Sequence, residues 1–322
     1  MSWLAFIGLA VILYYIVYLI LWIVCDGNVW LIYKEHFGKP IAELRKNVVW
    51  ITGASSGIGR ALALQLAQEG ALLILSARRE KELEEVKAEC IRKSNGKLHE
   101  EDVFVMPMDM LKIEDHQKCL DRVLEKFGRL DILVNNAGRS QRANWEDIEL
   151  KVDRDLFELD VFSVVHLSRV VVRYFLKRDL NARGHIAVTS SVAGFAIAPF
   201  SASYCGAKHA VNAYMNALRV EHRNIDVTIF APGPIATDFL QEAFTARHNE
   251  KVGLSTKNQK RMTAERCGKL FAVALANKMM FVWCGLFPVN VLAYVARSPI
   301  LSHIVFLLLN EKALNKIREG KL

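Results

Sequence analysis

The chain has 322 residues, of which 52% are hydrophobic, and a formal net charge of +8. This length is enough to bury one large core with an appendage. A basic balance indicates an anionic partner such as nucleic acid, a membrane surface or a phosphorylated cofactor. The basic residues are scattered and no nucleic-acid-binding motif is present, which argues against nucleic acid. The six cysteines show no C-x-x-C spacing, which argues against a metal site and a disulfide framework.

An apolar segment without any charged residue runs from Trp3 to Val24. It meets the length of about 20 residues that a helix needs to cross a bilayer. Its aromatic residues are suited to the membrane interfaces: Trp3, Tyr14, Tyr15, Tyr18 and Trp22. It lacks the basic n-region and the small-residue cleavage site of a signal peptide. We therefore expect residues 1–25 to be an uncleaved, single-pass transmembrane anchor.

Basic residues follow this segment and none precedes it. Lys34, Lys39, Arg45 and Lys46 lie soon after the span, and the positive-inside rule assigns such a flank to the cytosol. The absence of an N-x-[ST] sequon agrees with this orientation. We expect a protein of the endoplasmic reticulum membrane whose globular domain faces the cytosol. A lumenal domain is the alternative, and the sequence does not distinguish one organelle membrane from another.

Residues 26–46 read as a polar connector, and short apolar runs then alternate with helix-prone segments over 47–250. The strand-like runs cover 48–51, 72–75, 103–106, 131–134, 185–188 and 227–230. The helix-prone segments cover 61–67, 80–94, 116–127, 153–177 and 204–219. This alternation predicts an α/β fold with a doubly wound parallel sheet of the Rossmann type and helices on both faces.

The last part of the chain, residues 251–322, departs from this alternation. A polar, basic loop over 251–262 precedes Thr263, which is suited to cap a helix that runs to about residue 277. The apolar stretch 279–309 is broken by Pro288 and Pro299, and neither half is long enough to cross a membrane. We expect one short strand and two apolar helices. These helices would cover a substrate cleft, touch the membrane, form a dimer contact or pack as ordinary core helices.

A glycine-rich turn follows the first strand-like run. Its sequence, T-G-A-S-S-G-I-G over 52–59, leads into the first helix-prone segment. Between a strand and a helix, glycines let the backbone approach a pyrophosphate at the helix N-terminus. The spacing G-x-x-x-G-x-G differs from the common G-x-G-x-x-G fingerprint. We infer a dinucleotide site, and a tight structural turn is the alternative.

Two arginines follow the second strand-like run, in Ser76-Ala77-Arg78-Arg79. An acidic residue at this place would bind the ribose 2′-hydroxyl of NAD. No acid is present there, and the guanidinium of Arg78 is suited to pair with a 2′-phosphate. The sequence therefore favours NADP(H) as the cofactor, although a solvated arginine pair at the start of a helix is the alternative.

Ser191, Tyr204 and Lys208 occur in the order S-x12-Y-x3-K. The four-residue spacing places the phenol and the amine on one face of a helix. A nearby ammonium stabilises a phenolate, so it lowers the pKa of a tyrosine from its usual value near 10 toward working pH. Tyr204 would then exchange a proton with a substrate whose oxygen Ser191 holds. Two further loops follow strand-like runs, at the edge where such sheets bind ligands: 135–138 (N-N-A-G) and 232–237 (P-G-P-I-A-T).

Taken in this order, the motifs resemble those of short-chain dehydrogenases/reductases over residues 47–285. The apolar N-terminal segment, the stretches 48–59 and 75–79 and the run Tyr204-Cys205-Gly206-Ala207-Lys208-His209-Ala210 are most similar to the membrane-anchored group around dehydrogenase/reductase SDR family member 7. The chain is more distantly similar to the 11β-hydroxysteroid dehydrogenases.

The resemblance implies roles for individual residues. The cofactor turn corresponds to Gly53, Ser55, Ser56, Gly57, Ile58 and Gly59. Arg78 corresponds to the contact with the 2′-phosphate and Asp109 to the contact with the adenine. The stretch beside the cofactor ribose corresponds to Asn135, Ala137 and Gly138. The loop at the nicotinamide carboxamide corresponds to Pro232, Gly233, Ile235 and Thr237. Tyr204 corresponds to the general acid/base, Lys208 to its partner that also binds the nicotinamide ribose, and Ser191 to the hydroxyl that orients the substrate.

One position departs from the family pattern. The long helix usually carries an Asn within N-x-x-G-x-x-x-L-T, and Asp160 stands there in this chain. The family's Asn helps to hold a water in a proton relay behind the lysine. An ionised Asp160 would favour the charged form of Lys208, and a protonated one would donate a hydrogen bond as the amide does. We expect Asp160 to preserve the relay with an altered pH optimum; a weakened relay with slow turnover is the alternative.

These residues predict an NADP(H)-dependent oxidoreductase that interconverts a carbonyl and an alcohol. The apolar anchor, the apolar tail and the family resemblance favour a small lipophilic substrate such as a steroid, a retinoid or another lipid-like carbonyl. A membrane-anchored NADP(H)-binding protein with little catalytic turnover is the alternative. The resemblance is also compatible with a homodimer.

Overall fold

A computed structural model describes residues 3–178, 183–253 and 261–308. Part of the predicted loop over 251–262 and the end of the predicted tail lie outside the described residues. The strands are β1 Val48–Thr52, β2 Leu72–Ser76, β3 Val103–Val105, β4 Ile132–Asn135, β5 Gly184–Thr189, β6 Ile225–Pro232, β7 Ile235–Ala236, β8 Met262–Thr263 and β9 Phe281–Cys284. The helices are α1 Trp3–Val24, α2 Val29–Phe37, α3 Gly57–Glu69, α4 Glu80–Lys93, α5 His116–Phe127, α6 Leu150–Phe157, α7 Ser163–Lys177, α8 Ala202–Glu221, α9 Ala264–Ala276, α10 Val289–Ala296 and α11 Pro299–Leu308.

Seven strands form one sheet in the order β3-β2-β1-β4-β5-β6-β9, and each neighbouring pair is parallel. All six predicted strands are present, and the predicted doubly wound fold is confirmed. The chain winds in one direction from β1 to β3 and in the other from β4 onward. A crevice therefore forms beyond the carboxyl ends of β1 and β4, where open α/β sheets bind ligands.

The sheet is buried on both faces, which explains why its strands read as continuous apolar runs. Every residue of β1 is buried. Helices α3, α4 and α9 cover one face, where the ring of Phe230 stacks on that of Phe271 with centroids 4.3 Å apart. Helices α5, α7 and α8 cover the other face around the buried Trp50.

The seventh strand comes from beyond the predicted domain boundary at residue 250. Strand β9 pairs with β6, and α9 packs against α3. The core of this domain therefore extends past residue 250 into the last part of the chain, for which packing of ordinary core helices was one of the alternatives. The predicted cap of α9 is present, because the side chain of Thr263 accepts a hydrogen bond from the Arg266 N–H at 3.1 Å. The predicted short strand and two apolar helices are β9, α10 and α11.

The predicted long helix over 153–177 is interrupted. It begins at Leu150, and a π-helical turn over Glu158–Phe162 separates α6 from α7. Asp160 lies within this turn and is fully buried. Such turns insert an extra residue into a helix and often occur at functional sites. The hydrophobic pattern did not predict the turn, because a single extra residue hardly changes the helical period.

The predicted polar connector contains structure of its own. Helix α2 packs on α9, and Leu31 is fully buried. Arg266 of α9 donates to Asp26 at 2.7 Å and to Glu35 at 2.8 Å. Burial raises the pKa of Glu35, but hydrogen bonds from Arg266 and Lys269 outweigh it and lower the pKa to about 2. The polar residues of this segment thus hold it on the catalytic domain.

Helix α1 has 22 residues and is apolar and long enough to cross a membrane. None of its residues is buried in the protein. Its C-terminal part contacts α10: the ring centroid of Tyr18 lies 6.0 Å from that of Tyr294, and the Trp22 carbonyl oxygen accepts a hydrogen bond from Asn290.

Candidate active site

The glycine-rich turn joins β1 to α3 at the crevice. Gly53 and Gly57 have φ values of 65° and 57°, in the left-handed region that favours glycine. A Cβ added at Gly59 would lie 2.5 Å from Nδ2 of Asn136 and still closer to the carbonyl oxygen of Gly53. The turn therefore holds its backbone close to the N-terminus of α3, where unpaired N–H groups favour an anion. This geometry fits the pyrophosphate of a dinucleotide.

Asn136 fixes the shape of this turn. Its Nδ2 donates to the carbonyl oxygens of Thr52 at 3.0 Å and Gly53 at 3.2 Å. Its Oδ1 accepts a hydrogen bond from the hydroxyl of Thr189 at 3.0 Å. The sequence assigned Asn135 to the site, but Asn135 is buried and donates to Ser168 of α7 at 3.0 Å. The alternation of side chains along β4 is the signal that distinguishes the two residues.

Arg79 lies over the same turn. Its Nη2 is 3.2 Å from Oγ of Ser55 and 3.4 Å from Oγ of Ser56. Arg78, which the sequence assigned to the 2′-phosphate, lines the same cavity, as does Asp109. The sequence assigned Arg78 to the 2′-phosphate, and in the structure it is Arg79 that contacts Ser55 and Ser56.

Tyr204 and Lys208 lie one turn apart on α8. The ammonium of Lys208 is 5.6 Å from the centroid of the Tyr204 ring and donates to the carbonyl oxygen of Thr189 at 3.2 Å. Ser191 follows β5 and lines the same cavity as Tyr204, and its interaction with the Tyr204 side chain lowers the pKa of that phenol. The Oγ of Ser191 is also held by the Ala193 N–H at 3.1 Å. The three predicted catalytic residues therefore lie together.

Asp160 lies behind Lys208. Its Oδ1 accepts from the Arg139 N–H at 2.8 Å, and its Oδ2 is 3.0 Å from Nζ of Lys208. Burial raises the pKa of Asp160, and the Lys208 charge opposes that shift. Burial lowers the pKa of Lys208, but the charges of Asp160 and Tyr204 outweigh burial, so that this pKa is raised. The departure from the family pattern thus forms a buried ion pair.

The pKa of Tyr204 reflects opposing influences. Burial raises it and the charge of Lys208 lowers it, while the charge of Asp160 raises it; the net direction is upward. The sequence predicted the lowering by Lys208, and it did not predict how strongly burial and Asp160 act against it.

One cavity of about 2400 Å³ joins these groups. Most of the predicted site residues line it: Gly53, Ser55, Ser56, Gly57, Ile58, Arg78, Asp109, Ala137, Gly138, Ser191, Tyr204, Lys208, Pro232, Gly233, Ile235 and Thr237. Gly59, Asn135 and Asp160 are not among its lining residues and support it from behind. The residues of the turn fit the phosphates of a nicotinamide dinucleotide, and Tyr204 with Ser191 stands further along the same cavity.

Part of the cavity wall is apolar. Its lining includes Phe195, Ile197, Phe239, Leu292, Val295 and Leu307. The ring centroid of Phe239 is 6.0 Å from that of Tyr204. From the sequence, only the apolar helices after residue 279 were considered as a cover of a cleft, whereas Phe195, Ile197 and Phe239 come from earlier segments of the chain.

Comparison with known proteins agrees with this geometry. The family model for short chain dehydrogenases matches residues 47–248. The human protein "Dehydrogenase/reductase SDR family member 7" is 37% identical over 291 residues, which cover 89% of this chain and 84% of the relative. The sesame (Sesamum indicum) "11-beta-hydroxysteroid dehydrogenase A" is 39% identical over 199 residues, which cover 61% of this chain and 55% of that one.

Solved structures share the fold. A short chain dehydrogenase/reductase from Burkholderia phymatum, solved in complex with NAD, has a TM-score of 0.68 at 24% identity and covers 83% of this chain and 97% of its own. An alcohol dehydrogenase from Thermococcus sibiricus has a TM-score of 0.63 at 24% identity, with 75% and 97% covered. The chain therefore belongs to the short-chain dehydrogenase/reductase family of oxidoreductases, in the group of dehydrogenase/reductase SDR family member 7.

Proposed function

We propose that the protein is an NADP(H)-dependent oxidoreductase that interconverts a carbonyl and an alcohol on a lipophilic substrate. The observation that carries this proposal is the placement of Tyr204 beside Lys208 and Ser191, on the same cavity as the glycine-rich turn. A proton donor and an anion-binding turn on one cavity are what a hydride-transfer site requires.

The turn and the arginines would hold the cofactor. The N-terminus of α3 would take the pyrophosphate, and Arg79 with Ser55 and Ser56 would take a 2′-phosphate. The three residues directly after β2 include no acid to bind a free 2′-hydroxyl, and two of them are arginines. These features favour NADP(H) over NAD(H). When bound, the nicotinamide supplies or takes the hydride.

The side chains of the site handle the proton. In reduction Tyr204 gives the proton of its hydroxyl to the substrate oxygen, and in oxidation it takes that proton back. Ser191 holds the same oxygen through its hydroxyl. The charge of Lys208 stabilises the phenolate that forms when Tyr204 has lost its proton. Asp160 keeps Lys208 charged.

The apolar part of the cavity wall supports a lipophilic substrate. Aromatic and aliphatic side chains bind steroid-like and retinoid-like molecules through apolar contact. The sesame relative is named an 11-beta-hydroxysteroid dehydrogenase, which makes a steroid-type carbonyl the first candidate. Part of the region from residue 251 onward covers this cleft in our proposal, because residues of α10 and α11 line it.

We also propose that α1 anchors the protein in the endoplasmic reticulum membrane with the catalytic domain in the cytosol. The basic residues after α1 support this orientation. A protease added to intact microsomes would then digest the domain. Protection of the domain until detergent is added would instead indicate the lumenal arrangement.

One experiment tests the function. Detergent-solubilised full-length protein is mixed with NADPH or NADH and a panel of steroid, retinal and small aromatic carbonyls, and cofactor oxidation is followed. Turnover that prefers NADPH supports the proposal. NADPH binding without turnover on any carbonyl would favour the alternative of a binding protein. The observation that supports this alternative is Asp160, which stands where the family usually has an Asn.

A further inference from the structure

The last turn of α1 is bound to the catalytic domain through Asn290 of α10. The Nδ2 of this buried side chain donates to the carbonyl oxygens of Trp22 and Cys25, each at 3.0 Å. The Trp22 carbonyl is in the last turn of α1, where carbonyl groups have no partner within the helix. The Oδ1 of Asn290 accepts from Nε1 of Trp283 in β9 at 3.0 Å. Asn290 thus joins the end of the anchor to the edge of the sheet.

An aromatic contact on the same face of α10 strengthens this junction. The ring of Tyr294 stacks on that of Trp22, with centroids 4.3 Å apart and planes 3° apart. The Tyr294 hydroxyl accepts a hydrogen bond from the Val29 N–H at 2.6 Å, at the start of α2. Asn290 and Tyr294 lie one helical turn apart, so one face of α10 holds both the end of α1 and the beginning of the next helix. The anchor is docked here and is not joined by a free linker.

Another face of α10 lines the substrate cleft. Val289, Leu292, Val295 and Ala296 belong to the cavity wall. An α-helix with its side chains is about 10 Å across. The end of the anchor and the apolar cleft wall on α10 are therefore separated by the thickness of one short helix.

Helices α10 and α11 also present an apolar surface to the outside. We call α10–α11 surface the set of apolar residues that are 39–75% exposed there: Phe287, Leu292, Ile300, Leu301, Ile304 and Leu307. Leu292 and Leu307 of this set also line the cavity, so the surface and the cleft share these two residues. Among all residues from 286 to 308, the sequence has only Arg297 and His303 with a basic or acidic side chain. Arg297 lies over aromatic rings, with its guanidinium carbon 5.0 Å from the Phe281 centroid. Exposed apolar side chains on two helices that pack together are typical of a contact with a membrane or a protein.

We propose that the α10–α11 surface rests on the bilayer that α1 crosses, and that the cleft opens there and takes its lipophilic substrate from the lipid. The first half of this proposal rests on α1 as a membrane anchor, and the second half rests on the proposed function. Continuity with the anchor identifies the occupant as lipid. Because Trp22 is in the last turn of α1, its stacking on Tyr294 puts both rings at the interface depth that aromatic side chains favour.

A labelling experiment tests the contact without any need for catalysis. The full-length protein is reconstituted in phosphatidylcholine liposomes that contain a lipid with a diazirine in its acyl chain. After irradiation, the labelled residues are located by mass spectrometry. We expect labels on α11 and near Phe287 and Leu292 as well as on α1. Trp145 and Val220 are 79% and 73% exposed but lie on other parts of the domain, and they should remain unlabelled. Labelling confined to α1 would overturn the proposal. The same result is expected if a second copy of the chain covers the α10–α11 surface.

A pair of variants tests substrate entry. Ile300 and Ile304 are exposed and do not line the cavity. The double variant Ile300→Glu/Ile304→Glu should raise the KM for a membrane-partitioned carbonyl in liposomes about ten-fold or more, because charges would hold the surface off the lipid. Its KM for a short water-soluble carbonyl should be unchanged. The control Trp145→Glu/Val220→Glu should change neither value.

The outcomes separate this inference from the proposed function. An unchanged KM for the membrane-partitioned substrate in the isoleucine double variant would overturn entry from the lipid. Lipid labels on α11 in a protein that turns over no carbonyl would refute the proposed function and leave the membrane contact standing.

Discussion

The Oδ2 of Asp160 lies 3.0 Å from Nζ of Lys208, and their side chains are 0% and 6% exposed. Because the pair is buried, the protonation of Asp160 in the π-helical turn depends on the charge of Lys208 in α8, and the reverse also holds. Removing one partner of a buried pair leaves an uncompensated charge, and this typically costs about 3–5 kcal/mol. The pair also affects Tyr204, because the charge of Asp160 raises the pKa of the phenol while that of Lys208 lowers it.

The variant Asp160→Asn should therefore shift the pH–rate profile. Loss of the negative charge lowers the pKa of Tyr204 and that of Lys208, since Asp160 raises both. In the oxidation direction, where Tyr204 must lose its proton to act as the base, the rising limb of kcat/KM should move to lower pH. The control Asp153→Asn changes a carboxylate seven residues earlier and should leave the profile in place. A profile of Asp160→Asn that overlays that of the parent would contradict this role.

The arginines after β2 should determine cofactor preference. Arg79→Ala should raise the KM for NADPH by about 10- to 100-fold, as expected for a lost hydrogen bond to a charged group, and leave the KM for NADH nearly unchanged. Arg78→Ala should have an equal or smaller effect, since Arg79 already contacts Ser55 and Ser56. Arg92→Ala, at the exposed end of α4, is the control. An effect of Arg78→Ala alone would contradict the role of Arg79 and would support Arg78, the residue that the sequence predicts, as the contact to the 2′-phosphate.

The glycine-rich turn should not accept a methyl group at residue 59. Gly59→Ala would force its Cβ against Asn136 and the Gly53 carbonyl, and overpacking of this kind costs about 1–3 kcal/mol. We expect a loss of NADPH affinity and a melting temperature lower by several degrees. Gly206→Ala is the matched control, because its Cβ would meet the Phe157 ring at 3.6 Å, an ordinary contact. Equal melting temperatures for both variants would contradict the conclusion that a Cβ at residue 59 does not fit against Gly53 and Asn136.

Histidine 185 should make the protein less stable in acid. It is buried in β5 with Nε2 2.8 Å from the Thr228 hydroxyl, and burial lowers its pKa to about 4. The unfolded chain binds a proton near pH 6.5. The protonation of His185 therefore costs no stability above about pH 6.5, and the free energy of unfolding decreases as the pH falls from there toward about 4. Across that window the loss amounts to ~3 kcal/mol.

Denaturation of His185→Gln at several pH values tests this assignment. An amide does not titrate, so the variant should lose less stability between pH 7 and pH 4 than the parent does. His36→Gln, on the exposed side of α2, should behave like the parent. If the parent and His185→Gln lose equal stability in acid, the protonation of His185 is not responsible.

The sequence predicted what local chemistry determines. Fully buried parallel strands such as β1 appear as apolar runs, a threonine before a helix caps it as Thr263 does, and a four-residue spacing unites Tyr204 with Lys208. Each of these depends on residues that are close in the chain.

What the sequence missed depends on distant contacts or on single-residue offsets. The connector is held by Arg266, more than 200 residues away from Asp26 and Glu35. The choice between Asn135 and Asn136, and between Arg78 and Arg79, depends on which way a side chain leaves the backbone. The docking of Trp22 on Tyr294 joins an anchor to a helix that no local pattern connects with it.

Tyr204 is the residue that we propose to transfer the proton in an NADPH-dependent reaction. The most direct measurement compares the parent with Tyr204→Phe in NADPH oxidation with a carbonyl that the parent reduces, alongside NADPH binding by fluorescence. We predict that Tyr204→Phe binds NADPH as the parent does and loses about 10²- to 10⁴-fold in kcat, the usual contribution of a general acid. A kcat within a few-fold of the parent, with NADPH binding intact, would contradict the claim and assign the proton transfer to another group.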